Sequence, residues 1–292
     1  MASTARAEKA PAKVNLTLRV LGRRADGYHE LESLVAFAGV GDALTFAPGG
    51  ALTLTVSGPT APAAGDSADN LVLKAARALA ERIAGLTLGR FALSKRLPVA
   101  AGLGGGSADA AAALRLLAHA NGIALDDPRL MQAAQATGAD VPVCLESRAR
   151  LMAGIGERLG PALRLPRLFA LLVNPGVAVE TVAVFRALGL AHGQRLGCPD
   201  DKAGYETASA SELLANLTRS GNDLAVPAQR VAPGIGEVLE RLERIPDCRL
   251  ARMSGSGATC FALFDDCRAS AAAAKVLQRD RPDWWVKPTL LS

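Results

Sequence analysis

Aromatic side chains are scarce in this chain: two Trp, two Tyr and seven Phe, or 4% of 292 residues. The core must therefore be aliphatic, and each exposed ring becomes a candidate contact. Paired cysteines are also missing. Cys144, Cys198, Cys248, Cys260 and Cys267 are odd in number and include no C-x-x-C, which argues against a disulfide framework and against a zinc site. No apolar run escapes interruption by Gly, Pro or charge for the length of a membrane span, and Met1 to Ala10 has no apolar signal segment. The expectation is a soluble, cytoplasmic protein with no membrane contact. There is no basic run either. The net charge is +5, but Lys and Arg are scattered, so no nucleic-acid partner is expected and the excess reads as a mild bias towards anionic small molecules. Finally, the chain contains no Gly-Lys pair, which excludes a P-loop.

What is present begins with a clean alternation from Ala12 to Leu21. Val14, Leu16, Leu18 and Val20 fall on one face, and Lys13, Asn15, Thr17 and Arg19 on the other. That is the period of a half-buried strand with Lys13 and Asn15 side by side on its polar face. Arg23 to His29 reads as a turn, and Asp42 to Val56 as two strands around Pro48-Gly49-Gly50. Asp69 or Asn70 caps a helix running to about Ile83, and a strand follows near Leu86 to Leu93. Ser107 to Ala120 is an alanine-rich helix, and another helix starts at Asp126-Asp127-Pro128 and stops at Gly138. Beyond it come the apolar run Phe169 to Val173, a helix from Val179 to Leu188, a strand–loop–strand from Leu250 to Phe264, and a closing strand at Trp285-Val286-Lys287. Strands and helices mix without strict βα alternation, so the fold class is α+β. The length suits two packed domains, 1–160 and 161–292.

The sharpest feature is the run Pro98-Val99-Ala100-Ala101-Gly102-Leu103-Gly104-Gly105-Gly106-Ser107-Ala108 between a strand and a helix. Backbone N–H groups approach phosphate oxygens only where side chains are out of the way. Here glycine clears that space and the helix start aims free donors and a positive dipole end at the anion. A dinucleotide-binding loop would have glycine near position 107 and an acidic strand end about twenty residues on. This chain has Ser107, and Asp126 caps a helix instead, which leaves a Rossmann oxidoreductase as the lesser alternative.

This run resembles the second motif of the GHMP kinases, the family of galactokinase, homoserine kinase and mevalonate kinase. Pro11-Ala12-Lys13-Val14-Asn15 is similar to the family's first motif, and Ser254-Gly255-Ser256-Gly257-Ala258 to its third. The resemblance covers essentially the whole chain. It implies an S5-like N-terminal domain carrying the glycine loop, a ferredoxin-like C-terminal domain completing a substrate cleft, and transfer of the ATP γ-phosphoryl group to an alcohol, with magnesium carried on ATP. Asp26-Gly27-Tyr28-His29-Glu30, Asp69-Asn70-Leu71, Leu97-Pro98, Gly138-Ala139-Asp140-Val141-Pro142 and Gly221-Asn222-Asp223-Leu224 resemble the branch whose small-molecule acceptor carries a cytidine diphosphate moiety. The oligomeric state has no signature in the sequence.

Roles follow from the resemblance residue by residue. Asp140 has the position of a helix N-cap, and the family makes it the general base that takes the proton of the acceptor hydroxyl. Lys13 is implied beside it, keeping the carboxylate ionised and stabilising developing charge. Tyr28 is implied to stack on cytosine while His29 and Asn15 read its edge. Thr181 and Phe185, four apart on one helix face, are implied near the rest of the acceptor, although packing alone would also explain them. Lys95, Asn70 and Leu71 are implied near adenine, and Gly255, Ser256 and Gly257 over the phosphates. Two departures stand out. Ala100 and Ala101 replace glycine, and Asp109 replaces an amide, where an acid near a triphosphate must face magnesium or turn away. A nucleotide-binding protein without chemistry is the alternative of another class, and the presence of both Lys13 and Asp140 speaks against it. Homoserine or mevalonate as acceptor is the runner-up within the family, disfavoured by the Tyr28-His29 turn.

Overall fold

The computed structural model describes residues 6–65, 69–196, 205 and 209–292. Cys198 and the end of the loop 61–68 lie outside these. The described chain opens with β1 (Arg6–Asn15), β2 (Arg19–Arg23), β3 (His29–Pro48), β4 (Thr53–Ser57), α1 (Leu71–Ala80) and β5 (Gly89–Ser94). Then come α2 (Gly105–Ala120), α3 (Pro128–Thr137), α4 (Val141–Glu146), β6 (Arg150–Gly154), β7 (Arg158–Leu159) and β8 (Leu168–Asn174). The last part holds α5 (Thr181–Leu188), α6 (Ala210–Arg219), α7 (Ala225–Val231), α8 (Gly234–Glu243), β9 (Leu250–Met253), β10 (Cys260–Phe264), α9 (Cys267–Asp280) and β11 (Trp285–Leu291). The mixture is α+β, as the sequence implies. No described helix is long and apolar enough to cross a membrane.

Two compact units form, and each draws on more than one stretch of chain. The first holds Met1–Lys13, Val40–Val99 and Gly104–Ser147. In it, the later part of β3 pairs antiparallel with β5, from Ala43 opposite Ser94 to Pro48 opposite Gly89, and β4 pairs parallel with β5. Pro48-Gly49-Gly50 is therefore not a hairpin joining two paired strands. β5 lies between β3 and β4, and the parallel pairing needs the crossover through α1. Helices α1 to α4 pack together. Buried alanines at 108, 110–113 and 118 of α2 let the backbones approach closely, while Phe46 and Phe91, 4.6 Å between centroids, fill the space at the strands.

The second unit holds Val14–Gly39, Ala100–Leu103 and Arg148–Ser292. Its antiparallel ladder runs from the first part of β3 through β11, β8 and β10 to β9. On the other side of β3 lie β2 and β6, the latter from Leu31 opposite Gly154 to Val35 opposite Arg150. Leu171 and Val173 of β8, Cys260 and Ala262 of β10, Val238 and Leu242 of α8 and Leu277 of α9 form one aliphatic core.

Two expectations about local structure change. The segment Ala12 to Leu21 is not a half-buried strand. β1 ends at Asn15, and Lys13, Asn15 and Thr17 are each 4% exposed. Their polar groups have partners inside the protein, so the alternation marks a strand covered on both faces rather than one with a wet side. Helix α2 begins at Gly105, two residues before Ser107. Packing overrides the poor helix propensity of glycine there, and the first-turn amides of α2 belong to Gly105, Gly106 and Ser107.

Candidate active site

At the start of α2 three features of the first unit converge. Gly104 is the N-cap residue, with φ of +60°, and the first intrahelical bond runs from Ala108 N–H to Gly104 O at 2.8 Å. The amides before Ala108 are the donors a helix leaves free at its N-terminus. The stem of Lys13 lies against this turn: a Cβ on Gly104 would meet Lys13 Cε at 3.1 Å and Cβ at 3.3 Å. The Lys13 ammonium then pairs with the Asp140 carboxylate, Nζ to Oδ2 3.2 Å. The Lys13 side chain is buried, whereas that of Asp140 keeps 36% of its surface. Asp140 stands at the N-cap position of α4, with Pro142 in the first turn, yet its side chain makes no capping bond. Its carboxylate faces the lysine instead. A helix start, a fixed cation and an accessible carboxylate can together hold an anion and accept a proton beside it.

The glycines do a job that the sequence only half indicates. At Gly104 the missing Cβ leaves room for the stem of Lys13, whereas a Cβ at Gly105 would meet Lys95 Nζ (3.5 Å) and Leu97, and one at Gly106 would meet Leu71 Cδ1 (3.4 Å), only at ordinary contact distance. Leu71 and Lys95 thus flank the helix start. Asn70 caps α1 by accepting from Val72 N–H at 3.0 Å. The Lys95 ammonium is engaged by Asp42 Oδ2 at 2.5 Å and Asp109 Oδ2 at 2.8 Å. Asp109 therefore turns inward. Burial pushes its carboxyl up to about 7 against the pull of Lys95, with Asp42 adding to the rise. For Lys95, burial pulls downward, but Asp109 and Asp42 more than offset it and keep the ammonium charged. Ala100 takes a positive φ of 50°, the conformation glycine adopts at least cost.

Within the second unit, Ser254 ties loop to loop. Its hydroxyl accepts from Asn15 N–H at 3.0 Å and donates to Gly102 O at 2.8 Å, while Thr259 N–H reaches Ala101 O at 3.1 Å. Asn222 donates from Nδ2 to Met253 O and Gly255 O, both at 2.8 Å, and Asp223 Oδ2 accepts from Val20 N–H at 2.7 Å. Ser256 and Thr181 share a hydroxyl–hydroxyl bond of 2.9 Å, bringing the 254–257 turn to the start of α5.

A separate pocket of about 760 Å³ in this unit is lined by Tyr28, His29, Ile155, Thr181 and Phe185, among others. Tyr28 is 61% exposed. His29 stacks on Phe185 with centroids 4.5 Å apart and planes 24° from parallel. Its Nε2 is buried and has no hydrogen-bond partner among the described residues. Burial, then the Arg23 guanidinium, then His192 hold the imidazole below its ordinary value, so the ring is neutral at neutral pH and offers one donor and one acceptor. Asn15 does not line this pocket; its Nδ2 donates to Ser33 Oγ at 2.7 Å.

The family description "GHMP kinases N terminal domain" matches residues 70–148, and "GHMP kinases C terminal" matches 207–281. The chain is 61% identical to 4-diphosphocytidyl-2-C-methyl-D-erythritol kinase of Xanthobacter autotrophicus, over 97% of this chain and 98% of that one. The chain belongs to the GHMP kinase family. It is also 59% identical to the kinase of the same name from Methylorubrum extorquens, over 97% and 98% of the two chains. A crystal structure of 4-(cytidine 5'-diphospho)-2C-methyl-D-erythritol kinase superposes with a TM-score of 0.76 at 34% identity, covering 98% of this chain and all of that one. Homoserine kinase from Cytophaga hutchinsonii shares the fold, with a TM-score of 0.72 over 100% and 96% of the chains, at 17% identity. The N-terminal family match holds the glycine run and Asp140, and the C-terminal match holds the 254–258 turn. The fold also engages residues whose partners the sequence does not reveal. Asp42 sits in an ordinary-looking strand, and only the fold brings it to Lys95. Ser254 and Asn222 lie inside recognised motifs, but their bonds could not be read from spacing.

Proposed function

We propose that this GHMP kinase transfers the γ-phosphoryl group of ATP to the 2-hydroxyl of 4-diphosphocytidyl-2-C-methyl-D-erythritol, a step of the non-mevalonate route to isopentenyl diphosphate, as a cytoplasmic enzyme. The carrying observation is the Lys13–Asp140 pair beside the first turn of α2. Full-length relatives bearing that kinase name support the acceptor. The two family matches, on either side of residue 160, support domains of 1–160 and 161–292.

ATP fits the cradle of the first unit, where the amides of Gly105, Gly106 and Ser107 present donors to phosphate oxygens. Magnesium carried on the nucleotide would supply charge neutralisation to the phosphates and would be held through them, since the described residues form no cluster of acids, histidines or cysteines that could hold a metal ion. Asp140 accepts the proton of the attacking hydroxyl as its oxygen forms a bond to the γ-phosphorus and the bond to the β-phosphate oxygen breaks, releasing ADP. Lys13, 3.2 Å from the Asp140 carboxylate, orients it and stabilises the charge on the transferring group. Tyr28 stacks on the cytosine, the neutral His29 ring bonds its edge, and Thr181 and Phe185 shape the rest of the pocket.

The pocket assignment is tested by Tyr28→Ala. Loss of a base–aromatic stack costs about 1–3 kcal/mol, so the KM of the cytidine acceptor should rise by roughly five- to a hundredfold. The base is remote from the reacting hydroxyl and contributes alike to ground and transition states, so kcat and the KM for ATP should hardly move. An unchanged acceptor KM would remove Tyr28 from the site.

A further inference from the structure

A buried trio of charged groups lies beneath the phosphate-holding turn, and the chemistry proposed above does not use it. Asp42, Lys95 and Asp109 are 1%, 4% and 2% exposed. Asp42 sits on β3, Lys95 just past the end of β5, and Asp109 on α2. Asp42 Oδ1 accepts from the backbone N–H groups of Arg96 at 2.5 Å and Leu97 at 2.9 Å, while its Oδ2 accepts from Lys95 Nζ at 2.5 Å. Lys95 Nζ donates again to Asp109 Oδ2 at 2.8 Å. The same nitrogen lies 3.5 Å from where a Cβ on Gly105 would be. One carboxylate thus fixes the turn that leads into the glycine run, and one ammonium joins that turn to the helix that leaves it.

We propose that Asp42, Lys95 and Asp109 are positioning residues, a clamp that sets the distance between residues 95–97 and the first turn of α2 and so holds the Gly105 and Gly106 amides where phosphate oxygens bind. Apolar side chains of similar volume would stabilise the unit as well or better than a buried ion trio, because charges are costly to desolvate. What the trio adds is direction: four charge-assisted bonds tolerate little movement, whereas an apolar contact slides. Around Asp109 the first half of α2 otherwise buries only small side chains, Ala108 and alanines 110–113, which give little resistance to such sliding; its leucines and Arg115 anchor the later turns. Lys95 Nζ and Asp109 Oδ2 face each other at 2.8 Å, and they act through the backbone they fix.

The inference rests on the nucleotide site proposed above, and the test separates the two. Asp109→Asn, Lys95→Met and the double variant are compared with the wild type at about pH 8, above the raised Asp109 value, so that the carboxylate is ionised. Each single variant is expected to raise the KM for ATP about tenfold, the worth of a charge-assisted bond and of a small misplacement of donors. The acceptor KM should stay within about twofold, and the double variant should be no worse than Lys95→Met, since both act through one bond. A lowered Tm with an unchanged ATP KM, an equal rise for the acceptor, or additive effects would overturn the clamp. If Lys95→Met does not fold, the nearly isosteric Asp109→Asn decides by its ATP KM alone. A wild type that does not turn over ATP would overturn both the clamp and the proposed function.

Discussion

Asp140→Asn is expected to lower turnover by about 10²–10⁴, the usual worth of a general base, while the melting temperature and the KM for ATP stay near those of the wild type. The side chain makes no capping bond to α4, so its replacement removes no structural hydrogen bond from that helix. Its carboxylate faces Lys13 Nζ, 3.2 Å away. An amide in its place cannot take the proton of an alcohol, a group too weakly acidic to attack phosphorus unaided. The loss should appear in kcat and in kcat/KM alike, because the proton moves only on the way to the transition state. Steady-state kinetics with saturating ATP and a melting curve check both halves. Near-normal turnover would remove Asp140 from the chemistry.

The second large effect is expected at Gly102. Its φ is +72°, and a Cβ there would fall inside van der Waals contact of Ser254 O, with Gly257 O at 2.9 Å and Gly257 N at 3.0 Å. All three are backbone atoms, so no side chain can swing away. A left-handed conformation costs an L-residue about 1–2 kcal/mol, and overpacking a tight contact costs about 1–3 more. Gly102→Ala should therefore lose roughly 2–5 kcal/mol, shared between a lower melting temperature and a KM for ATP raised at least tenfold. Gly105→Ala is the control. Its Cβ would meet Lys95 Nζ at 3.5 Å and Leu97 Cδ1 at 3.6 Å, ordinary contacts, and alanine favours the helix by about 1 kcal/mol over glycine. Gly105→Ala should keep a wild-type melting temperature. If Gly102→Ala matches it in both Tm and ATP KM, the packing of the 254–257 turn on Gly102 does not fix the loop.

The parts of this protein that were readable in advance are those where chemistry and local backbone coincide. The glycine run had to be a tight approach of backbone to something, Gly138 had to end a helix, and Asp127-Pro128 had to start one. Lys13 and Asp140 were paired by resemblance alone; they stand 127 positions apart in sequence, and no spacing rule reaches that far. Thr181 and Phe185 were identifiable as neighbours on a helix face, but only the fold brings that face to Tyr28 and His29. The alternation around Lys13 misled in one respect. Period two says that side chains point to opposite faces, not which face is wet, and here the polar face is covered too. The insertion of β5 between β3 and β4 was invisible because a Pro-Gly-Gly turn joins two strands equally well whether they pair directly or leave a gap for a third. Asp42 gave no local sign at all, since its partners at 95–97 and its charge balance with Asp109 arise only when β3, β5 and α2 assemble. The two compact units interleave along the chain because β1 and β3 each run through both, a feature that a linear reading of composition does not register.

The central claim, phosphorylation of a cytidine-bearing alcohol, is tested most directly by giving the wild-type protein two acceptors. With Mg-ATP and 4-diphosphocytidyl-2-C-methyl-D-erythritol, ADP release should be matched by formation of a phosphate monoester at the 2-hydroxyl, seen by phosphorus NMR. Methylerythritol phosphate, which has the same hydroxyl but no cytidine, should be at least tenfold poorer in kcat/KM, as loss of a stacked base requires. Efficient phosphorylation of the cytidine-free compound, or no turnover of the cytidine-bearing one, would contradict the assignment.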